Sequence, residues 1–225
     1  MFEYRYLQPE HAAAAAKIHI EGQPGTILTL LGYHFLTQLY RAVVCSEWAE
    51  GIGVFDEHNE LVAHSAIAVS SAKFFSEFKT RHLWKVSLPV AWSVLKNPGI
   101  LYHVVQGWNY ADLTRSPERE ADVMFLGVKQ EYLRQGLGPE LVRYMFGWGH
   151  SIGLKSANLM IEKRNRPMRW MIGQLKGLYV AHEFEAYGRP MLFYKVSIAD
   201  NLAEASLPLG RPYVPAHVYS DNGRG

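Results

Sequence analysis

The sequence predicts an α/β protein in which a mixed sheet is flanked by helices. Three observations favour this class. Short segments that alternate apolar and polar residues, as strands do, recur between apolar segments with helical spacing. A glycine-containing turn, Arg134-Gln135-Gly136-Leu137-Gly138, separates a strand pattern from a helix pattern. The chain has 225 residues, of which 48% are apolar, and this is enough for one sizeable hydrophobic core.

The first part of the chain predicts a strand, two helices and a hairpin. Residues 2–8 alternate aromatic and polar side chains, as a strand does. Pro9, five consecutive alanines and a terminal Gly22 predict the first helix. Residues 31–46 predict the second helix, with apolar side chains at helical spacing: Phe35, Leu36, Leu39, Val43 and Val44. Two apolar runs joined by residues 56–59 are typical of a hairpin.

The second part predicts four strands and two helices after a polar loop. They are a strand over 122–128, a helix with Pro139 near its first residue, a strand over 156–162, a short helix ending near Gly177, and two closing strands around Gly188-Arg189-Pro190. Gly127 lies inside the first of these strands, and a glycine there indicates a bulge or a close backbone approach.

Residues 74–112 differ from the rest, because they are aromatic-rich, basic and helical in pattern, with interruptions at Pro89 and Pro98-Gly99. We expect a helical insertion packed on the core. A lid over the substrate, or an element that binds a membrane surface or a partner, is the alternative, because basic residues accompany tryptophans: Lys79, Arg81, Lys85 and Lys96. Residues 199–225 contain three prolines and little periodicity, which predicts a C-terminal tail.

Composition argues against several classes of protein. A formal net charge of +2 does not indicate a nucleic-acid partner. The ten histidines are scattered without metal-site spacing, so we expect no metal site. The single cysteine, Cys45, excludes an intrachain disulfide and is expected to be a buried, inert thiol. We see neither a signal-peptide pattern nor an apolar run long enough to span a bilayer, and expect a cytoplasmic protein.

The turn at Arg134–Gly138 has the features of an anion site. The first turn of a helix leaves backbone N–H groups without partners, and they carry partial positive charge. Glycines let the backbone approach a phosphate closely, and Arg134 adds charge. The Walker pattern is absent, and a Rossmann pattern beginning at Gly136 has Leu141 in place of its third glycine. The alternative is a tight loop whose glycines serve geometry alone.

The segment "LGVKQEYLRQGLGPELVRYMFGWGHSIGLKSANLMI" resembles the acyl-coenzyme A segment of the GNAT superfamily of N-acetyltransferases. The shared features are an apolar strand ending in valine (here Val128), a loop with Gly136 and Gly138, a helix and a strand. The first loop position is Leu133 instead of arginine or glutamine. The order of elements also matches, over most of residues 2–198 apart from the insertion. The resemblance implies a mixed, mostly antiparallel sheet flanked by helices, with a helical insertion.

The same resemblance implies acetyl-coenzyme A as co-substrate and a primary amine as acceptor, with direct attack in a ternary complex. Its diphosphate would bind the backbone at Leu133, Arg134, Gln135, Gly136, Leu137 and Gly138. Its pantetheine arm would pair with the strand backbone at Leu126, Gly127 and Val128, next to a bulge, where an N–H holds the thioester oxygen. Asn165 would contact the cofactor. A homodimer is compatible with the resemblance.

The resemblance also implies catalytic groups. Asp122, six positions before Val128, matches the position of the general base; Glu120 and His64 are weaker candidates. A solvated strand-end charge is the alternative for Asp122. The tyrosine that protonates the leaving thiolate is replaced by Ile172, so Tyr179 or Tyr194 substitutes for it, or the thiolate leaves unaided. That gap keeps a non-catalytic acyl-coenzyme A-binding module open as an alternative.

A second glycine pattern, Gly149-His150-Ser151-Ile152-Gly153, spells the G-x-S-x-G pattern of a serine hydrolase. Asp200 and His217 follow Ser151 in the order that a catalytic triad requires. A hydrolase elbow needs a strand before the serine and a helix after it, whereas here the patterns are reversed. We therefore favour a helix end and a chain turn at these glycines, with the hydrolase as the alternative.

Overall fold

The computed structural model describes residues 2–96, 98–99, 120–186 and 188–202. The strands are β1 (Glu3–Tyr6), β2 (Ala49–Phe55), β3 (Leu61–Ala68), β4 (Glu120–Val128), β5 (Ser156–Glu162), β6 (Tyr179–Ala186) and β7 (Arg189–Ser197). The α-helices are α1 (Ala12–Gly22), α2 (Ile27–Leu30), α3 (Tyr33–Cys45), α4 (Ser71–Lys96), α5 (Leu137–Ser151) and α6 (Arg166–Ile172). The predicted order of elements is confirmed.

Seven strands form one sheet in the order β1-β2-β3-β4-β5-β7-β6. Every neighbouring pair is antiparallel except β4 and β5, which are parallel. The prediction of a mixed, mostly antiparallel sheet is therefore confirmed. A parallel pair needs a crossover connection, and α5 supplies it between β4 and β5.

Helices cover both faces of the sheet, each over its own hydrophobic core. Helices α1, α3 and α4 pack on one face, where small alanines of α1 let α3 approach closely. All five apolar residues that the sequence placed on one face of α3 are buried. Helices α5 and α6 pack on the other face, around Leu141, Met145, Phe146 and Ile172.

Helix α4 differs from its prediction at Pro89. The helix runs for 26 residues from Ser71 to Lys96 and passes Pro89 without ending. A proline inside a helix lacks the backbone N–H and so removes one hydrogen bond of the helix. Tertiary packing can offset this loss of stability. Here Phe74, Phe78 and Val86 are buried against the α3 side of the core. The rest of the predicted insertion, residue 97 and residues 100–112, lies outside the described residues.

Three smaller expectations are wrong. Cys45 is exposed, not buried. It is the last residue of α3, and its side chain points away from the face on which Val44 is buried. The helix α5 begins at Leu137, two residues earlier than predicted, so Pro139 is its third residue and not its first. Helix α6 ends at Ile172, and Gly177, with φ of 69°, lies in the turn that leads into β6. Of the predicted tail, residues 203–225 lie outside the described residues.

Within the described ranges, every helix is too short or too polar to cross a bilayer.

A substitution at Gly127 tests how closely His64 and Ile18 pack against β4. A Cβ atom at this position would lie 2.8 Å from Nε2 of His64 and 3.1 Å from Cγ2 of Ile18. We expect Gly127→Ala to lower the free energy of unfolding by about 1–3 kcal/mol, measured by urea denaturation, because the buried ring must shift.

The matched control is Gly147→Ala in α5, where a Cβ would meet nothing within 4 Å. It should leave stability unchanged or raise it by about 0.5–1 kcal/mol, because alanine favours a helix. Equal effects of the two substitutions would contradict the packing argument.

Candidate functional site

A cleft opens where β4 and β5 part. The two strands pair from Glu120 with Ser156 as far as Val123 with Leu159. No described strand occupies the β5 side of β4 beyond that point. The resulting cleft has a volume of about 590 Å³ and is lined by β4, β5, β7 and the α1–α2 connection, including Gln23, Thr26, Met124, Leu126, Glu162 and Asn165.

A bulge in β4 lies at the mouth of this cleft. Ala66 pairs with Phe125 and the next residue, Ile67, pairs with Val123, which leaves Met124 as the extra residue. A bulge bends its strand and increases the local twist, so it helps to separate β4 from β5. The bulge that the sequence suggested at Gly127 is therefore three residues away, and Gly127 serves the close approach to His64 instead.

The backbone of β4 presents polar groups along the open edge. The N–H of Lys129 donates to the carbonyl of Val62 at 2.9 Å, and hydrogen bonding alternates along an antiparallel pair. Gly127 therefore bonds toward β3, whereas Leu126 and Val128 turn their N–H and C=O groups to the cleft side. The carbonyl of Leu126 accepts a hydrogen bond of 3.1 Å from Nε2 of Gln23, which agrees with this direction.

The predicted glycine turn is exposed from Arg134 to Gly136, and its last two residues, the buried Leu137 and Gly138, are the first two residues of α5. Arg134 and Gly136 adopt left-handed backbone conformations, with φ of 62° and 84°. Gly136 is the N-cap and has no side chain that could satisfy the amides of Leu137 and Gly138. These amides therefore lie at the positive end of a 15-residue helix. The hydroxyl of Tyr4 donates to Glu140 and holds that carboxylate toward β1.

The turn and the open edge of β4 are adjacent. A Cβ atom on Gly138 would lie 3.9 Å from Cδ2 of Leu126 and 2.8 Å from Sδ of Met171. The second glycine of the turn is thus explained by close packing of α5 on α6 and β4. The N-terminus of α5 therefore lies within van der Waals distance of Leu126, on the polar edge of β4.

Asp122 precedes Val123, which lines the cleft, and it is buried, with 4% of its surface exposed. Its carboxylate accepts hydrogen bonds from the N–H of Ser71 at 3.0 Å and from Nδ2 of Asn158 at 3.2 Å. The alternative interpretation of Asp122, a solvated charge at the end of a strand, is therefore wrong. The neighbouring Glu120 forms an ion pair of 2.8 Å with Lys195.

His64, the third candidate base, belongs to a buried polar cluster behind β4. Nδ1 of His19 lies 2.8 Å from the hydroxyl of Tyr40, which lies 3.4 Å from Nε2 of His64. Burial lowers the pKa of His19 to about 4, and burial together with the nearby His19 lowers the pKa of His64 to about 3. Both rings are therefore neutral at neutral pH. The rings of His19 and Tyr40 pack against Phe125. The ring of His64 lies against the backbone of Gly127.

The remaining predicted residues lie in separate places. Asn165 lines the cleft, and its Oδ1 caps α6 by accepting from the N–H of Met168 at 3.1 Å. Ile172 is a core residue with 1% of its surface exposed. The hydroxyl of Tyr194 accepts from Arg169 at 3.3 Å, whereas Tyr179 is 57% exposed on the edge strand β6.

Ser151 does not occupy a hydrolase elbow. It is the last residue of α5, its hydroxyl donates to the carbonyl of Trp148 at 2.7 Å, and a strand follows it. The N–H groups of Gly153 and Leu154 close the helix end on the carbonyls of His150 and Gly149. His217, the third member of the hypothetical triad, lies outside the described residues.

Sequence reasoning missed the side of the cleft that the α1–α2 connection forms. Gln23 reaches Leu126, and Arg189 of β7 donates to the carbonyl of Gly25 at 2.7 Å and to Glu162 at 3.1 Å. Arg189 therefore ties this connection to the ends of β5 and β7. The only local signal is that Gly22 ends a helix just before Gln23, which does not indicate where the side chain points.

Comparisons with solved structures show which fold this is. The chain is similar to an acetyltransferase of the GNAT family from Streptococcus pneumoniae, with a TM-score of 0.54, 14% identity, and 88% of this chain and 99% of the other covered. It is also similar to the ribosomal-protein-S18-alanine N-acetyltransferase of Escherichia coli. The TM-score is 0.56, the identity is 13%, and the alignment covers 92% of this chain and 99% of the other. A third similar structure is the ribosomal-protein-S5-alanine acetyltransferase of Vibrio fischeri. Its TM-score is 0.56, the identity is 11%, and the alignment covers 90% of this chain and 96% of the other.

The chain therefore has the fold of the GNAT acetyltransferases, and the resemblance inferred from the glycine turn is confirmed at this level. No protein-family model and no curated protein matches the sequence.

The buried histidines predict how stability depends on pH. Their pKa values in the folded protein lie below the ordinary value of about 6.5. Below that pH the unfolded chain binds protons that the folded protein does not, so the free energy of unfolding should fall between about pH 6.5 and pH 4. Urea denaturation across this range measures the slope, and His19→Gln should flatten it.

The control for this measurement is His58→Gln, because the side chain of His58 is 77% exposed. The pH dependence should then match that of the unaltered protein. A slope insensitive to His19→Gln would show that other groups govern the acid sensitivity.

Proposed function

We propose that this protein is an N-acetyltransferase that moves an acetyl group from acetyl-coenzyme A to a primary amine in the cytoplasm. The observation that carries the proposal is the proximity of the N-terminus of α5, with the exposed turn before it, to the open, polar edge of β4. A diphosphate fits the first, an extended amide-containing chain fits the second, and coenzyme A contains both in that order. Residues 1–198 form the transferase domain in this proposal, with residues 74–112 as an insertion and 199–225 as a tail.

The turn at Leu133–Gly138 binds the diphosphate. The exposed residues 133–136 and the amides of Leu137 and Gly138 offer donors at the positive end of a helix, and Gly136 keeps the approach free of a Cβ. Arg134 adds a positive charge on the exposed side of the same turn. These contacts are to phosphate oxygens, so they position the co-substrate without selecting its acyl group.

The open edge of β4 binds the pantetheine arm as an additional strand. The backbone groups of Leu126 and Val128 supply a donor and an acceptor each, and Asn165 lines the same cleft. The carbonyl of Leu126 has two lone pairs, so it can accept from Gln23 and from an amide of the arm together. An N–H of this edge, near the bulge at Met124, stabilises the thioester oxygen as it gains negative charge.

The acceptor amine enters the same cleft and attacks the thioester carbon directly. The nitrogen–carbon bond forms as the carbon–sulfur bond breaks, the amine nitrogen loses a proton, and the sulfur leaves as a thiolate that takes up a proton. Asp122 receives the amine proton, through water because the carboxylate is buried beside Val123, which lines the cleft. No described side chain in the cleft is placed as an acyl-carrying nucleophile.

A second candidate function rests on Ile172. A buried apolar side chain stands where the resemblance implies the tyrosine acid, and the hydroxyl of Tyr194 is engaged by Arg169. A module that binds acyl-coenzyme A without transferring its acyl group would tolerate this. Release of free thiol in the presence of amines separates the two functions.

The direct test is binding of acetyl-coenzyme A by calorimetry, followed by thiol release across a panel of primary amines. Gly136→Asp should weaken binding at least about tenfold, because aspartate tolerates the left-handed backbone yet sets a negative charge against the diphosphate. A Cβ at this position meets nothing within 4 Å, so the fold should persist.

Gly188→Asp is the matched control, because Gly188 also has a positive φ, 68°, and open space around its Cβ position. It should leave binding unchanged. Failure of the unaltered protein to bind acetyl-coenzyme A would overturn the proposal, whereas binding without thiol release would establish the non-catalytic module.

Asp122→Asn tests the base. If the carboxylate takes the amine proton, kcat should fall about 10²–10⁴-fold and the acidic limb of the pH–rate profile should disappear. Glu120→Gln, on the same strand, breaks the ion pair with Lys195 and should leave that limb in place. A loss of stability in Asp122→Asn with an unchanged pH profile would assign Asp122 a structural role instead.

A further inference from the structure

The outer face of α4 carries a row of exposed apolar side chains. Trp84, Leu88, Trp92 and Leu95 expose 72%, 81%, 62% and 74% of their surfaces, and we name these four residues the outer stripe. Their spacing of three and four residues places them on one side of the helix. The inner side of α4 buries Phe74, Phe78 and Val86, so the helix is apolar on two sides. Monomeric soluble proteins rarely expose contiguous apolar patches of this kind without a binding role.

The charges around the outer stripe are predominantly positive. Helix α4 contains five basic residues and a single acidic residue, Glu77. Glu77 is engaged by Arg81 at 2.6 Å and by the hydroxyl of Ser46 at 2.6 Å. The ammonium groups of Lys85 and Lys96 lie over the rings of Trp84 and Trp92, at 5.4 Å and 5.1 Å from the ring centres. A lysine therefore lies beside each of the two tryptophans of the stripe.

This combination selects the chemistry of the partner. Tryptophan and lysine together are the residues that place a helix at the boundary between lipid headgroups and acyl chains. A second copy of this chain would bring one basic helix against another in a symmetric interface, and like charges would oppose it. An anionic lipid surface instead satisfies the apolar stripe and its flanking cations together.

We propose that α4 docks on an anionic lipid surface, with the helix in the plane of the membrane and the outer stripe among the headgroups. The helix does not cross the bilayer, because it is too polar to do so. The proposal uses none of the residues of the acetyl-coenzyme A cleft and is independent of the reaction.

The test is co-sedimentation of the full chain with vesicles of phosphatidylcholine alone and of phosphatidylcholine mixed with phosphatidylglycerol. We expect binding to the anionic vesicles that weakens with salt, with a blue shift of tryptophan emission. Lys85→Glu with Lys96→Glu should lower the partition coefficient at least about thirtyfold, because each substitution removes a positive charge and adds a negative one. Trp84→Ser with Trp92→Ser should lower it about a hundredfold.

Two surface variants serve as controls on the other face of the sheet. Trp170→Ser removes an equally exposed tryptophan, at 74%, and Lys176→Glu reverses an exposed lysine. Both should leave vesicle binding unchanged. Circular dichroism checks that all variants fold, which exposed positions should allow.

Three results would overturn the proposal. The first is absence of binding to anionic vesicles, or binding that the stripe variants leave intact. The second is a dimer in sedimentation equilibrium that the same variants dissociate, which would make a second copy the partner. The third is protection of the tryptophans of the stripe from acrylamide without vesicles, which would mean that other residues of this chain cover it.

Discussion

The separation of β4 from β5 beyond Val123 and Leu159 is the constraint on which the rest of the site depends. A parallel pair that continued to Val128 would satisfy the backbone of β4 along its whole length and close the cleft. The bulge at Met124 adds twist at this point, and α5 connects the end of β4 to the start of β5. The exposed polar edge therefore follows from how two neighbouring strands end their pairing.

The buried cluster of His19, Tyr40 and His64 packs against β4 on the side of the helical core. The cluster brings polar groups into the core, where one ring nitrogen of each histidine lies near the hydroxyl of Tyr40 and both rings are neutral at neutral pH. Gly127 lets the ring of His64 lie directly against the strand. The shape of the site on one side of β4 is thus linked to two buried histidines on the other side.

Asp122 connects the site to the helix inserted between β3 and β4. Its carboxylate receives the N–H of Ser71, the first residue of α4, so it lies at the positive end of that helix. The same carboxylate is held by Asn158 of β5 at the last stretch where β4 and β5 still pair. One side chain therefore joins the start of α4 to the point from which the cleft opens.

The sequence by itself determined the order of elements, the buried face of α3 and the turn around Gly136, because each depends on periodicity or on glycine chemistry within a few residues. Only the tertiary structure decided the bulge at Met124, the burial of Asp122 and the path of α4 through Pro89. It also decided the contact of Gln23 with Leu126, which are 103 residues apart. These features are contacts between distant segments, and local patterns carry no information about which segments meet.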